Sequence, residues 1–85
     1  MANIKSQEKR IHRSERERTE NRARTSAVKT YFRRLEEAVE SGKDVDDAYR
    51  RLVSTIDKAA EHGALHRNNA ARKKTRAARI RTRAA

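Results

Sequence analysis

His62 and His66 stand four residues apart, a spacing that would put two imidazoles on one side of a helix, where they could share a metal ion or act as a general base. Gly63 falls between them and reads as a helix stop. The chain has no cysteine, and neither His12 nor any carboxylate makes a convincing third ligand, so no metal site is expected. Asp44, Asp46 and Asp47 could suggest a magnesium site, but acidic residues at the start of a helix are explained more simply by capping and by the helix dipole. A nucleophile needs an oriented base and a dry pocket, and a thin helical chain offers little room for one. No enzyme activity, cofactor or small-molecule substrate is expected. The chemistry that remains is charge. Residues 64 to 85 carry eight Lys or Arg and no acidic residue, and uncompensated like charge on one helix is destabilising until something anionic binds.

The elements that must position this charge are few. Eighty-five residues make one small domain, and a chain of this size buries only about 60% of the surface it exposes when unfolded. With 41% charged residues, 34% hydrophobic residues and only Tyr31, Phe32 and Tyr49 as aromatics, the core is thin and close to the limit at which burial offsets chain entropy. The net charge of +11 and pI near 11.1 call for a polyanion. No run approaches the ~20 apolar residues of a spanning helix and none resembles a signal peptide, so a cytoplasmic location is expected and membrane is not.

The composition and spacing predict an all-α fold, a three-helix bundle with a long first helix and basic protruding ends, forming a single domain over 1–85. Gly42 and Gly63 each follow helical apolar spacing and read as stops, and there is no proline. The first helix is expected over about 6–41. Val28, Tyr31, Phe32, Leu35, Ala38 and Val39 form its apolar stripe, which fades towards the N-terminus, where Ile4 and Ile11 are followed at heptad spacing by Arg18 and Thr25. Asp44 is expected to cap a second helix over about 45–62. Its stripe of Val45, Ala48, Tyr49, Leu52, Val53, Ile56, Ala59 and Ala60 should pack antiparallel on the first. A third helix over about 65–83 is expected from Ala and Arg propensity. Its inner end, near Leu65 and Ala71, would close the bundle, and its outer end would be too polar to bury.

The charge is distributed by segment. Residues 1 to 26 carry eight Lys or Arg against four Glu, residues 27 to 63 carry seven against eight acids, and the last segment is wholly basic. The packed centre is near neutral and the ends hold the excess. Intrahelical pairs such as Glu15 with Arg18 and Glu20 with Arg24 are expected to soften the first helix. Both basic segments lack the aromatics on which single-strand binders stack bases, and the three aromatics fall on packing stripes. No zipper is present to form the symmetric dimer of a basic-region DNA binder. Phosphate contacts and helix placement on folded RNA fit this pattern, with polar groups such as Asn3, Ser6, Asn21, Asn68 and Asn69 reaching 2′-hydroxyls or base edges. In that setting His66 is expected to hydrogen-bond RNA or cap a helix. A general nucleoid DNA binder and a helical adaptor for an acidic protein or membrane surface are the other classes compatible with the charge.

Two motifs carry a resemblance. The opening, MANIKSQEKRIHRSERERTENRARTSAVKTYFRRLEEAV, resembles that of the bacterial small-subunit ribosomal protein family S-twenty, which begins Ala-Asn-Ile-Lys-Ser and continues as a basic helix. Near the other end, GALHRNNAARKKTRAARI looks like that family's Gly-x-Ile/Leu-His-Lys/Arg-Asn followed by a basic Ala-Ala-Arg-Lys-Lys-Ser/Thr-Arg run. The resemblance covers essentially the whole chain. It implies a structural constituent of the small (30S) ribosomal subunit that binds 16S ribosomal RNA at the 5′ domain and the penultimate stem, and that helps the RNA fold during assembly. Carried onto this sequence, the RNA-facing positions implied by the first motif are Asn3, Lys5, Ser6, Lys9 and Arg10, followed along the helix by Asn21, Arg22, Ser26 and Lys29. In the second motif they are His66, Arg67, Asn68, Arg72, Lys73, Lys74, Thr75 and Arg76. Glu8, Glu15, Glu17 and Glu20 depart from the family pattern, whose first helix is usually more basic.

Because the N-terminal half of the first helix has nothing apolar to pack against, it and the outer half of the third are expected to be frayed in the free protein and ordered on RNA. Circular dichroism of the free chain checks this. Helicity well below the roughly 70 residues that the three segments would supply if fully formed is the expected result, and a value already at that level would rule out coupled folding.

Overall fold

The computed structural model describes residues 3–83, with side chains from Gln7 onward. Three helices account for the fold: α1 (Asn3–Ser41), α2 (Val45–Glu61) and α3 (Arg67–Thr82). At 1.5 Å per residue α1 is about 58 Å long, and the molecule measures 64 × 21 × 13 Å. Only the C-terminal half of α1 belongs to the bundle. Residues 7–20 are exposed throughout, supply nothing to the core, and form an arm.

Both glycines end helices by taking positive φ, a conformation that costs other residues a clash at Cβ. Gly42 (φ +71°) donates its N–H to the Ala38 carbonyl at 2.8 Å, the single-bond left-handed cap. Gly63 (φ +78°) closes a Schellman motif: its N–H bonds to the Ala60 carbonyl at 3.1 Å, and that of Ala64 to the Ala59 carbonyl at 2.8 Å. Asp44 occupies the N-cap position of α2 but does not cap it as expected. It sits at φ 57°, ψ 29° with no side-chain bond to the helix. Reversing the chain over residues 42–44 places Asp44 in the left-handed region, which Asp tolerates, and its contribution is the carbonyl that accepts the Ala48 N–H at 3.0 Å. Asp46 and Asp47 do stand in the first turn, against the positive end of the α2 dipole.

The third helix starts at Arg67 and not at Leu65, because His66 is extended (φ −68°, ψ 144°) and its Nδ1 accepts the Asn68 N–H at 3.2 Å. Leu65, just before this cap, and Ala70, in the first turn after it, are both buried in the core, an arrangement that acts as a hydrophobic staple and fixes how the chain enters the helix.

The core is built from Val28, Phe32 and Leu35 of α1, Leu52, Ile56 and Ala59 of α2, Leu65 from the connection, and Ala70, Ala77 and Ile80 of α3. The expected α1–α2 hairpin is present and forms the most extensive interface, with α3 lying mainly on α2. The outer end of α3 departs from expectation: it is packed and does not protrude. Ala77 and Ile80 are buried while Ala71 is exposed, because Ala70, Ala77 and Ile80, at seven- and three-residue steps, define the inner stripe and Ala71 lies 100° round from Ala70. The arm of α1 is thus the one basic end that projects. Of the aromatics, Phe32 is buried, whereas Tyr31 and Tyr49 are half-buried at the bundle edge.

In so thin a core each large side chain matters. Leu52→Ala, at a fully buried position, should lower the unfolding free energy by about 2–5 kcal/mol in a urea titration. Ile11→Ala, on the arm with its side chain 56% exposed, should change it by less than about 0.5 kcal/mol.

Candidate nucleic-acid interface

The inner stripe of α3 sorts its cations onto separate faces. Lys74 and Arg81 turn towards α2, where Lys74 pairs with Asp57 and Arg81 with Asp46 at 2.8 Å. Lys73 and Arg76 turn towards α1 and line a groove with Thr25, Val28, Lys29, Phe32, Arg33 and Glu36. Asn68, Arg72, Thr75 and Arg79, at steps of four, three and four residues, run along the face away from the core.

The α1–α3 groove brings together residues from both ends of the sequence. Lys29 of the first motif and Lys73 and Arg76 of the second share it, and Arg33 adds a fourth cation against the single carboxylate of Glu36. Its floor is apolar, from Val28 and Phe32, and the Arg76 guanidinium lies 4.9 Å from the centroid of the Phe32 ring. Stacking in this way restrains a long side chain while leaving its N–H groups free at the rim, which suits a guanidinium to bridging phosphate oxygens. Sequence reasoning missed Arg33, although it lies one turn beyond Lys29 and that spacing could have found it. Arg79, one turn beyond Thr75, escaped in the same way.

On the arm, Lys9 lies with His12, Arg13 and Arg16 on one side of the helix. Arg10 is exposed on a different side, since adjacent residues are 100° apart. Of the expected ion pairs, Glu20 meets Arg24 only at 3.9 Å, and Arg13 pairs with Glu17 at 3.2 Å in place of the expected Glu15–Arg18 pair. Both are i, i+4 contacts at the surface worth a few tenths of a kcal/mol, so this mixed stretch stays available to an anionic partner at little cost. Arg22 and Ser26 are exposed on the same side of α1 as Lys29 and continue the groove towards the arm. Asn21 is half-buried, its Oδ1 accepting from Arg24 Nη1 at 3.2 Å. Arg67 is exposed at the start of α3. The Thr75 hydroxyl donates to the Ala71 carbonyl at 3.1 Å and keeps its lone pairs free as acceptors. The side chains of Asn3, Lys5 and Ser6 lie outside the described residues.

His66 Nδ1 is committed to its cap, which leaves Nε2 as the nitrogen that carries the ring proton in the neutral form. Among the described residues no group of three His, Cys, Asp or Glu side chains is placed to hold a metal ion, and no helix is long and apolar enough to cross a membrane. The arrangement presents fixed cations along one groove and one outer helix face, separated from a balanced surface on α2 where Asp47 pairs with Arg51 at 3.2 Å. Such an arrangement can bind a polyanion and align it.

Comparison with known proteins agrees with this geometry. The sequence model of the family described as Ribosomal protein S20 matches residues 2–81. The small ribosomal subunit protein bS20 of Ruminiclostridium cellulolyticum is 44% identical over 79 residues, covering 93% of each chain. That of Mycobacteroides abscessus is 50% identical over 78 residues, 88% of this chain and 90% of the relative. That of Dictyoglomus thermophilum is 45% identical over 83 residues, 94% and 88%. A match across nearly the whole length, at these identities, on a helical bundle with a cationic groove, means that the chain belongs to the ribosomal protein S20 family.

Proposed function

We propose that this protein is a structural, non-catalytic constituent of the bacterial small ribosomal subunit that binds 16S ribosomal RNA directly and stabilises its folding during assembly in the cytoplasm. The observation that carries the reading is the α1–α3 groove, where Lys29, Arg33, Lys73 and Arg76 from distant parts of the chain converge over an apolar floor. Phosphate contacts in this groove and along Arg72 and Arg79 position the bundle, and the arm extends the footprint to a second RNA segment. The finer assignment, to the 5′ domain and the penultimate stem of 16S RNA, fits a molecule whose longest dimension is 64 Å and whose cations lie at both ends of that length. The RNA-facing set is Lys9, Arg10, Arg22, Ser26 and Lys29 on α1, and Arg67, Asn68, Arg72, Lys73, Thr75 and Arg76 on α3. Asn3, Lys5, Ser6 and Asn21 join it at the arm side, and His66 and Lys74 through their second-motif positions.

Competition binding tests the reading. Labelled 5′-domain 16S RNA should be retained against excess duplex DNA or unrelated folded RNA at two salt concentrations, and equal competition that weakens steeply with salt would make the chain a general polyanion binder. Replacing Arg72, Lys73 and Arg76 together with Gln should flatten the slope of log K against log salt by roughly 0.7–0.9 for each phosphate no longer neutralised. An unchanged slope would take this face of α3 out of the interface.

A further inference from the structure

Among the described residues, the ion pairs that join different helices both lie at the α2–α3 seam; the others join residues four apart on one helix. At one end of the seam Asp57 holds Lys74. At the other, Arg81 donates from both Nε and Nη2 to the same Asp46 Oδ1, at 2.9 and 2.8 Å, and its guanidinium lies 4.7 Å from the centroid of the Tyr49 ring. Lys74 and Arg81 are seven residues apart, about 10 Å along α3. Two clamps at that separation restrain rotation of the helix about its own axis. The apolar contacts do this poorly, because α3 brings mainly the small side chains of Ala70 and Ala77 to the core beside Ile80. The rotation matters, since it decides that Lys73 and Arg76 meet α1 while Arg72 and Arg79 face outward.

We propose that Asp46 and Asp57 are positioning residues for RNA binding: two carboxylates that raise affinity for a polyanion by fixing the rotation and order of α3, although each repels phosphate. This rests on the reading of α3 as an RNA-binding surface. The sign of the effect separates it from simple electrostatics. Neutralising either residue makes the protein more cationic, so long-range attraction alone predicts tighter RNA binding. Positioning predicts weaker binding, because RNA must then order a helix whose inward cations have lost their partners. Each pair is roughly half exposed and weak alone, so the effect is read in the double variant.

The test uses the full chain and labelled 5′-domain 16S RNA. Asp46→Asn with Asp57→Asn should bind about three- to tenfold more weakly at physiological salt, with an unchanged salt slope because every cation that meets phosphate is still present. Exchanging the pair whose cation lies outside the RNA-facing set, Asp46→Arg with Arg81→Asp, should recover most of the affinity that Asp46→Arg alone loses; a folded exchange variant that does not recover overturns the proposal. So does equal or tighter binding by a folded double Asn variant. If that variant does not fold, as judged by a circular dichroism melt, the exchanged pair decides. Arg72→Gln with Arg79→Gln in the same assay separates the two readings. Weaker binding there but not in the Asn variant overturns positioning alone, whereas full affinity in both overturns the α3 interface as well.

Discussion

Eight cations and no carboxylate between residues 64 and 85 repel one another, and the rest of the structure is arranged around that repulsion. A helix so charged cannot be held by propensity alone. It is seated by a narrow stripe of Ala70, Ala77 and Ile80, entered through the His66 cap and Leu65 staple, and flanked by a helix carrying two carboxylates at the right height. Two of its cations are neutralised within the protein and the others are sorted onto a groove and an outer face. The unfavourable field of the free molecule is the same field that draws a phosphate backbone, so the protein is least comfortable alone and best compensated in a complex.

The distribution of apolar residues follows the same division of labour. Nearly all large apolar side chains lie between Val28 and Leu65, where charge is balanced, and the described part of the arm has only Ile11 exposed among polar neighbours. A hairpin of α1 and α2 therefore supplies the stability, and α3 and the arm are carried by it. The guanidinium stacks on Tyr31, Phe32 and Tyr49 at 5.0, 4.9 and 4.7 Å lie where the two territories meet, each using a core or edge aromatic to hold a surface cation.

Much of this was legible in the sequence because it is encoded locally. Gly42 and Gly63 mark helix ends by a conformation few other residues take, and the Val28–Val39 and Val45–Ala60 stripes have the 3.6-residue period and the large side chains that decide which face is inward. The rotation of α3 was not legible. Alanines at 70, 71, 77 and 78 offer two adjacent stripes of equal hydrophobicity, and only contact with α1 and α2 selects the one through Ala70, Ala77 and Ile80. The same ambiguity hid the fate of the basic run. Arg72, Lys73, Lys74 and Arg76 are neighbours in sequence but point to solvent, to α1, to Asp57 and to Phe32. Asp44 misled for a different reason: a three-residue reversal imposed a backbone conformation that overrode the usual side-chain cap.

The use of alanine at the α3 seam has a geometric consequence. A methyl group is nearly incompressible and has no rotamers, so two helices in contact through Ala70 and Ala77 meet at a separation set by their backbones. Longer side chains would make that separation depend on how they happen to fold. The depth at which α3 seats on the bundle is thereby set by the smallest parts of the molecule, and a surface that must meet a rigid ligand such as a nucleic-acid backbone needs a seat that does not stretch.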